Sequence, residues 1–120
     1  MINVLFIDDD QIELKVISRH FKKNNACNFH QACSLAEARQ IMESNTIDIV
    51  FSDYHLGPDS GLDIVGIYPD NDTYILSGSD LSAIEKAKLD EVNVNLIIKD
   101  FDLNYLTTME EIIMKKSTSA

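Results

Sequence analysis

Three consecutive aspartates, Asp8, Asp9 and Asp10, follow the apolar run NVLFI (residues 3–7) with no basic residue beside them. Carboxylates this close repel, and each raises the pKa of its neighbours, so something has to offset their charge. Elsewhere Asp53 follows DIVFS, Ser77 closes TYILS and Lys99 closes NLIIK. Carboxylates gathered in one crevice can be stabilised by a hard divalent cation; Mg²⁺ takes a few carboxylates, a backbone carbonyl and waters beside a phosphoryl group. A lysine ammonium and a serine hydroxyl nearby would hold the remaining phosphoryl oxygens. The chemistry open to this set is phosphoryl transfer to an aspartate.

The set works only if the fold brings it together, and the hydropathy pattern says how. Short apolar runs recur at residues 3–7, 29–33, 48–52, 73–77 and 95–99, as buried strands do. Helical spacing fills the gaps. Leu14, Ile17 and Phe21 share one face, and Asp10 can open that helix. Ser34-Leu-Ala-Glu37 has the form of a capping box ahead of Leu35, Ala38 and Ile41. Gly61 to Thr73 leaves room for a short helix, Leu62 to Ile67 at most, before Pro69-Asp-Asn-Asp. Ser79 or Asp80 can cap a segment carrying Ile84 and Ala87, and Asp102 can open a last helix running to about Lys116.

Five strand–helix alternations predict an α/β fold: a doubly wound, five-stranded parallel sheet with helices on both faces and right-handed crossovers. Ligands of such sheets bind at the carboxyl ends of the strands, where Asp8, Asp9, Asp53, Ser77 and Lys99 all fall.

The 120 residues suit one domain, spanning 1–116, with residues 117–120 expected as a disordered tail or the start of a linker. A net charge of −10 opposes direct binding to nucleic acid phosphates and favours a cation or a basic protein face. No apolar run is long enough to span a membrane, and the apolar start lacks a basic leader and a cleavage site, so a cytoplasmic location is expected. Cys27 and Cys33 are read as free thiols, Cys33 as core packing; with His30 they fit no zinc spacing. His20 is read as a solvated helix residue.

At this point the sequence resembles the receiver domain of two-component response regulators over nearly its full length. FIDDD resembles the first-strand end of that family, whose acidic pair, here Asp8 and Asp9, holds Mg²⁺. FSDYHLGPDSGLDIV resembles the phosphoacceptor strand and loop, with Asp53 as acceptor and Gly61 at the expected distance. His55 matches the position whose backbone carbonyl completes the metal shell and whose side chain tunes dephosphorylation. ILSGS sets Ser77 at the switch hydroxyl, and IIKDF sets Lys99 at the characteristic lysine.

The resemblance implies a flavodoxin-like sheet of strand order 2-1-3-4-5. It also implies a signalling phosphoacceptor rather than an enzyme, modified by a histidine kinase or histidine phosphotransfer protein and read by a downstream output domain or protein. The pattern departs from the family's in four places. Asp100 stands where a proline usually follows the lysine, Leu96 replaces the switch aromatic, Pro58 sits one place late, and the third helix is short.

Other readings stand beside this one. The acidic triplet alone could be a helix cap. FIDDDQ also resembles the haloacid-dehalogenase phosphatases, with Asp8 as nucleophile and Asp10 as acid, but that leaves Asp53 unexplained. A third reading is a receiver fold that binds partners without being phosphorylated. On the last helix Leu103, Tyr105, Leu106, Met109, Ile112, Ile113 and Met114 spread over about half the circumference, wider than one core face requires. That arc is either a broad core face or a homodimer surface through the fourth and fifth helices.

Overall fold

A computed structural model describes residues 1–24, 27–67, 72–78, 81–92, 94–99 and 102–119. The first strand, β1 (Asn3–Ile7), is buried over its last four residues. Side chains alternate across a strand, so Val4 and Phe6 enter one core layer while Leu5 and Ile7 enter another. A strand covered on both faces reads as a continuous apolar run, which is why NVLFI shows no alternation.

The edge strands are largely exposed or half-buried instead, and further strands complete the fold. They are β2 (Asn28–Ala32), β3 (Ile49–Asp53), a two-residue pair β4 (His55–Leu56) and β5 (Asp59–Ser60), then β6 (Asp72–Ser77) and β7 (Asn95–Ile98). The main sheet has the order β2-β1-β3-β6-β7 with every pairing parallel. Once the hairpin pair is set aside, this is the expected order 2-1-3-4-5, a flavodoxin-like sheet. The antiparallel β4–β5 hairpin is too short for its pattern to stand out in the sequence. Gly57, at φ 63°, takes the left-handed conformation that the first central position of a primed two-residue turn requires.

Among the described residues, five helices lie between and after the strands: α1 (Gln11–Asn24), α2 (Leu35–Ser44), α3 (Leu62–Ile67), α4 (Ala83–Val92) and α5 (Asn104–Ser119). Leu14, Ile17 and Phe21 of α1 pack with Tyr105, Met109 and Ile113 of α5 over Val4, Phe6 and Phe51. Leu35, Ala38 and Met42 of α2 join Ile64 of α3 over Leu5, Ile7 and Val50. The α3 range matches the short helix expected there.

Three helix ends differ from expectation. The first turn of α4 is capped by Ser82, whose Oγ accepts from Glu85 N (3.2 Å) while the Glu85 carboxylate accepts from Ser82 N (3.0 Å). That reciprocal box starts the helix later than Ser79 or Asp80 would, and those two lie outside the described residues. Its buried residue is Leu89; Ile84 is 71% exposed and Ala87 is exposed too. α5 starts at Asn104 rather than Asp102, after Leu103 at φ 59°, and runs to Ser119 rather than to about Lys116.

Tyr105, Leu106, Met109 and Ile113 are buried, whereas Leu103 and Met114 are exposed, so most of the apolar arc of α5 is core. Both cysteines are free. Cys33 is half-buried, and its thiol donates to Glu37 at 3.2 Å, so it is more than the core packing expected of it. His20 pairs with Glu110 of α5 instead of being merely solvated. Among the described residues, no helix is long and apolar enough to cross a membrane.

Candidate functional site

The carboxyl edge of the sheet is built by chain segments that leave their strands together. Asp8 N donates to Ala32 O (3.1 Å), extending the β1–β2 ladder by one residue past Ile7. That pins Asp8, which is wholly buried, and its Oδ1 accepts from Asp10 N at 2.9 Å. Asp10 in turn caps α1: its Oδ1 accepts from Ile12 N (2.9 Å), as its place before the helix predicted. Asp9, between them, is exposed. Asp53 ends β3 on the neighbouring strand. Asp8, Asp9 and Asp53 each offer a carboxylate oxygen, all within 4.8 Å of one another. An oxygen-only donor set of this kind suits a hard divalent cation.

Lys99 arrives one residue past β7, its backbone N donating to Ser77 O at 2.8 Å. Its ammonium lies 3.2 Å from Asp8 Oδ2, 3.1 Å from Asp53 Oδ1 and 2.5 Å from Glu13 Oε2. Burial alone would lower the lysine pKa, but Glu13, Asp53 and Asp8 together outweigh it and raise it, so the ammonium stays charged. Burial pushes the Asp8 carboxyl up to about 8, its hydrogen bond with Glu13 adds to the rise, and the Asp10 amide and Lys99 oppose it. Asp53 is raised as well, by burial first, with Lys99 pulling the other way. Glu13 is shifted down, mainly by its hydrogen bond with Asp8. Without a cation, the crevice therefore holds more carboxylate than one lysine neutralises.

Glu13 was not anticipated from the sequence. It sits three residues after the Asp10 cap, where a capping-box glutamate would reach back to the cap's own N–H. Here that N–H is held by Asp8, and Glu13 turns to Lys99 instead. The position three residues after the cap was the available signal; the apolar stripe of α1 obscured it.

Ser77 is buried at the end of β6, one residue beyond Leu76, the register partner of Asp53. The His55 side chain leaves the crevice and meets Glu85 of α4 at 3.4 Å. Gly61 has a direct physical reason: a Cβ there would lie 2.4 Å from Asp53 O and 2.8 Å from Ser52 Oγ. Leu96, on the edge strand β7, is 40% exposed. The Lys99–Asp100 peptide and Pro69 lie outside the described residues.

Residues 4–111 match the family model for the response regulator receiver domain. The chain belongs to that family. Solved structures share the fold of this receiver domain at low identity. The signal receiver domain of an HD domain-containing protein from Pseudomonas fluorescens Pf-5 is 22% identical at a TM-score of 0.81, with 99% of this chain and 98% of that one covered. The beryllofluoride-activated NtrC4 receiver domain dimer is 17% identical at a TM-score of 0.77, covering 97% and 99%. A response regulator from Burkholderia pseudomallei, with a phosphorylated aspartic acid, calcium ion and citrate, is 21% identical at 0.72, covering 99% and 75%. No curated protein matches the sequence. Membership places this receiver domain in a signalling family of two-component systems rather than among conventional enzymes.

Proposed function

We propose that this receiver domain is a phosphorylation switch in which Asp53 accepts a phosphoryl group from a histidine kinase or histidine phosphotransfer protein. The observation that carries the reading is the Lys99 ammonium held at 3.1 Å from Asp53 and 3.2 Å from Asp8, beside three mutually close aspartate oxygens. A carboxylate oxygen of Asp53 forms the bond to phosphorus as the phosphorus–nitrogen bond of the donor histidine breaks. The electron pair stays with the imidazole, which takes up a proton. Lys99 stabilises the negative charge on the transferred group, and the Ser77 hydroxyl donates to one of its oxygens.

Asp8, Asp9, Asp53 and the His55 backbone carbonyl would hold Mg²⁺, whose charge would offset the carboxylates and draw negative charge from the phosphoryl oxygens. The donor set fits the ion because it is all oxygen and because its buried member, Asp8, carries a charge that the fold alone disfavours.

Modification shifts the population of two states by the contacts that the phosphoryl group makes in one of them. Glu85 gives that shift a route, since one carboxylate caps α4 and meets His55 of the acceptor loop. The output is a changed preference of the α4 and α5 surface for a downstream domain or for a second copy. The dimeric state of the NtrC4 relative supports the second-copy option.

The test is beryllofluoride binding and acetyl phosphate labelling with Mg²⁺. Wild type should be modified and Asp53→Asn should not. Labelling that persists in Asp53→Asn, or an unreactive wild type, would overturn the reading; the second result would leave a binding module that works without phosphorylation. Sedimentation with and without beryllofluoride tests self-association, and a monomer in both conditions counts against the dimer.

A further inference from the structure

We propose that Glu13 is a positioning residue that acts through Lys99, holding the ammonium in the unmodified domain and competing with the incoming phosphoryl group for it. The inference rests on Asp53 being the acceptor, and it concerns how readily the site accepts and keeps the group.

An ammonium has three N–H donors and no acceptor. Lys99 Nζ has three carboxylate oxygens around it, from Glu13 at 2.5 Å, Asp53 at 3.1 Å and Asp8 at 3.2 Å, and its side chain is only 13% exposed. Two donors are hydrogen-bonded, to Glu13 and Asp8, and Asp53 closes the third side as an ion pair, so a bond to a phosphoryl oxygen requires one contact to be given up or redirected. Asp53 is the acceptor itself, and Asp8 is wholly buried, so its carboxylate has no water to turn to. Glu13 has neither role in the proposed reaction, yet it makes the shortest contact. At 35% side-chain exposure it is also the partner that solvent can take over. Its place in the first turn of α1 favours a released carboxylate, because the free amides and the dipole of a helix N-terminus stabilise negative charge there.

The residue therefore has two opposing effects. Its negative charge adds to the field that attracts a divalent cation. Its hold on Lys99 works against the phosphoryl group. Removing the charge while keeping the shape should separate the two, whereas a merely structural defect would weaken both.

The experiment compares wild type, Glu13→Gln and Glu13→Asp by titration with Mg²⁺ alone and with beryllofluoride at saturating Mg²⁺. For Glu13→Gln the affinity for beryllofluoride should rise about three- to tenfold, the scale of one charge-assisted contact, while that for Mg²⁺ falls about two- to threefold. Glu13→Asp keeps the charge but shortens the reach, so beryllofluoride should bind more tightly with Mg²⁺ affinity near the wild-type value. Unchanged or weaker beryllofluoride binding in Glu13→Gln, with wild type binding normally and Asp53→Asn not at all, would overturn the role of Glu13 and leave the acceptor assignment standing. A wild-type domain that takes no beryllofluoride would overturn both.

Discussion

Lys99 Nζ donates to Asp8 Oδ2 across a sequence separation of 91 residues, at 3.2 Å. The contact joins the exit of β1 to the exit of the edge strand β7, with β3 and β6 between them, so the crevice reports whether these four strands are in register. It also sets the sign of several measurable effects.

Lys99→Met should destabilise the domain, because it leaves Asp8, Asp53 and Glu13 facing one another without a cation. The cost should be about 1–3 kcal/mol, the range for losing a hydrogen-bonded charged partner. Asp53→Asn should do the reverse in metal-free buffer at neutral pH and leave stability unchanged or higher. The Asp53 pKa is raised in the fold, so its charged form is disfavoured there. Urea unfolding of both variants without Mg²⁺ checks the pair; equal losses would contradict it.

Mg²⁺ affinity should rise with pH up to about 8. The Asp8 carboxyl is held protonated up to about that pH, and a cation bound there must release the proton. Linkage gives the stability sign: the folded state binds more protons than the unfolded chain between the ordinary aspartate pKa and about 8. In that window the Asp8 contribution to metal-free stability falls as pH rises. Glu13, shifted downward, contributes in the opposite direction at lower pH. Mg²⁺ titrations at pH 6, 7 and 8 should show affinity rising by up to about tenfold per unit for one released proton; a flat profile would show that Asp8 is already ionised.

The three consecutive aspartates should separate cleanly. Asp10→Ala removes the cap of α1 and should cost about 1 kcal/mol with Mg²⁺ affinity largely kept. Asp9→Ala should weaken Mg²⁺ strongly with little loss of stability, since its side chain is exposed. Asp8→Ala should also weaken Mg²⁺ binding. Thermal melts paired with Mg²⁺ titrations distinguish these patterns, and identical effects from all three would contradict the division.

Gly61→Ala should damage the acceptor loop even though alanine is small. Its Cβ would meet backbone oxygen at 2.4 Å, and backbone cannot step aside as a flexible side-chain tip can. A loss of about 1–3 kcal/mol is expected, with weaker beryllofluoride binding because Asp53 is the residue displaced. Wild-type melting behaviour in this variant would show that the loop relaxes freely.

The sequence by itself determined the five main strands, the short α3, the caps at Asp10 and Ser34, and the placement of Asp8, Asp9, Asp53, Ser77 and Lys99 at strand ends. These are local properties: apolar runs, capping residues and the two periodicities report burial and backbone satisfaction within a few residues. Even there, the buried face of α4 is not legible, because Ile84 and Ala87 have helical spacing while Leu89 is the residue of the helix that is buried. The tertiary structure alone decided that Glu13 turns from its own helix cap to Lys99, and that His55 leaves the crevice for Glu85. It also decided that Asp8 is wholly buried beside Glu13, which raises its pKa. Each of these depends on the register of strands far apart in the chain and on how many charges share one desolvated space, which no short stretch of sequence encodes.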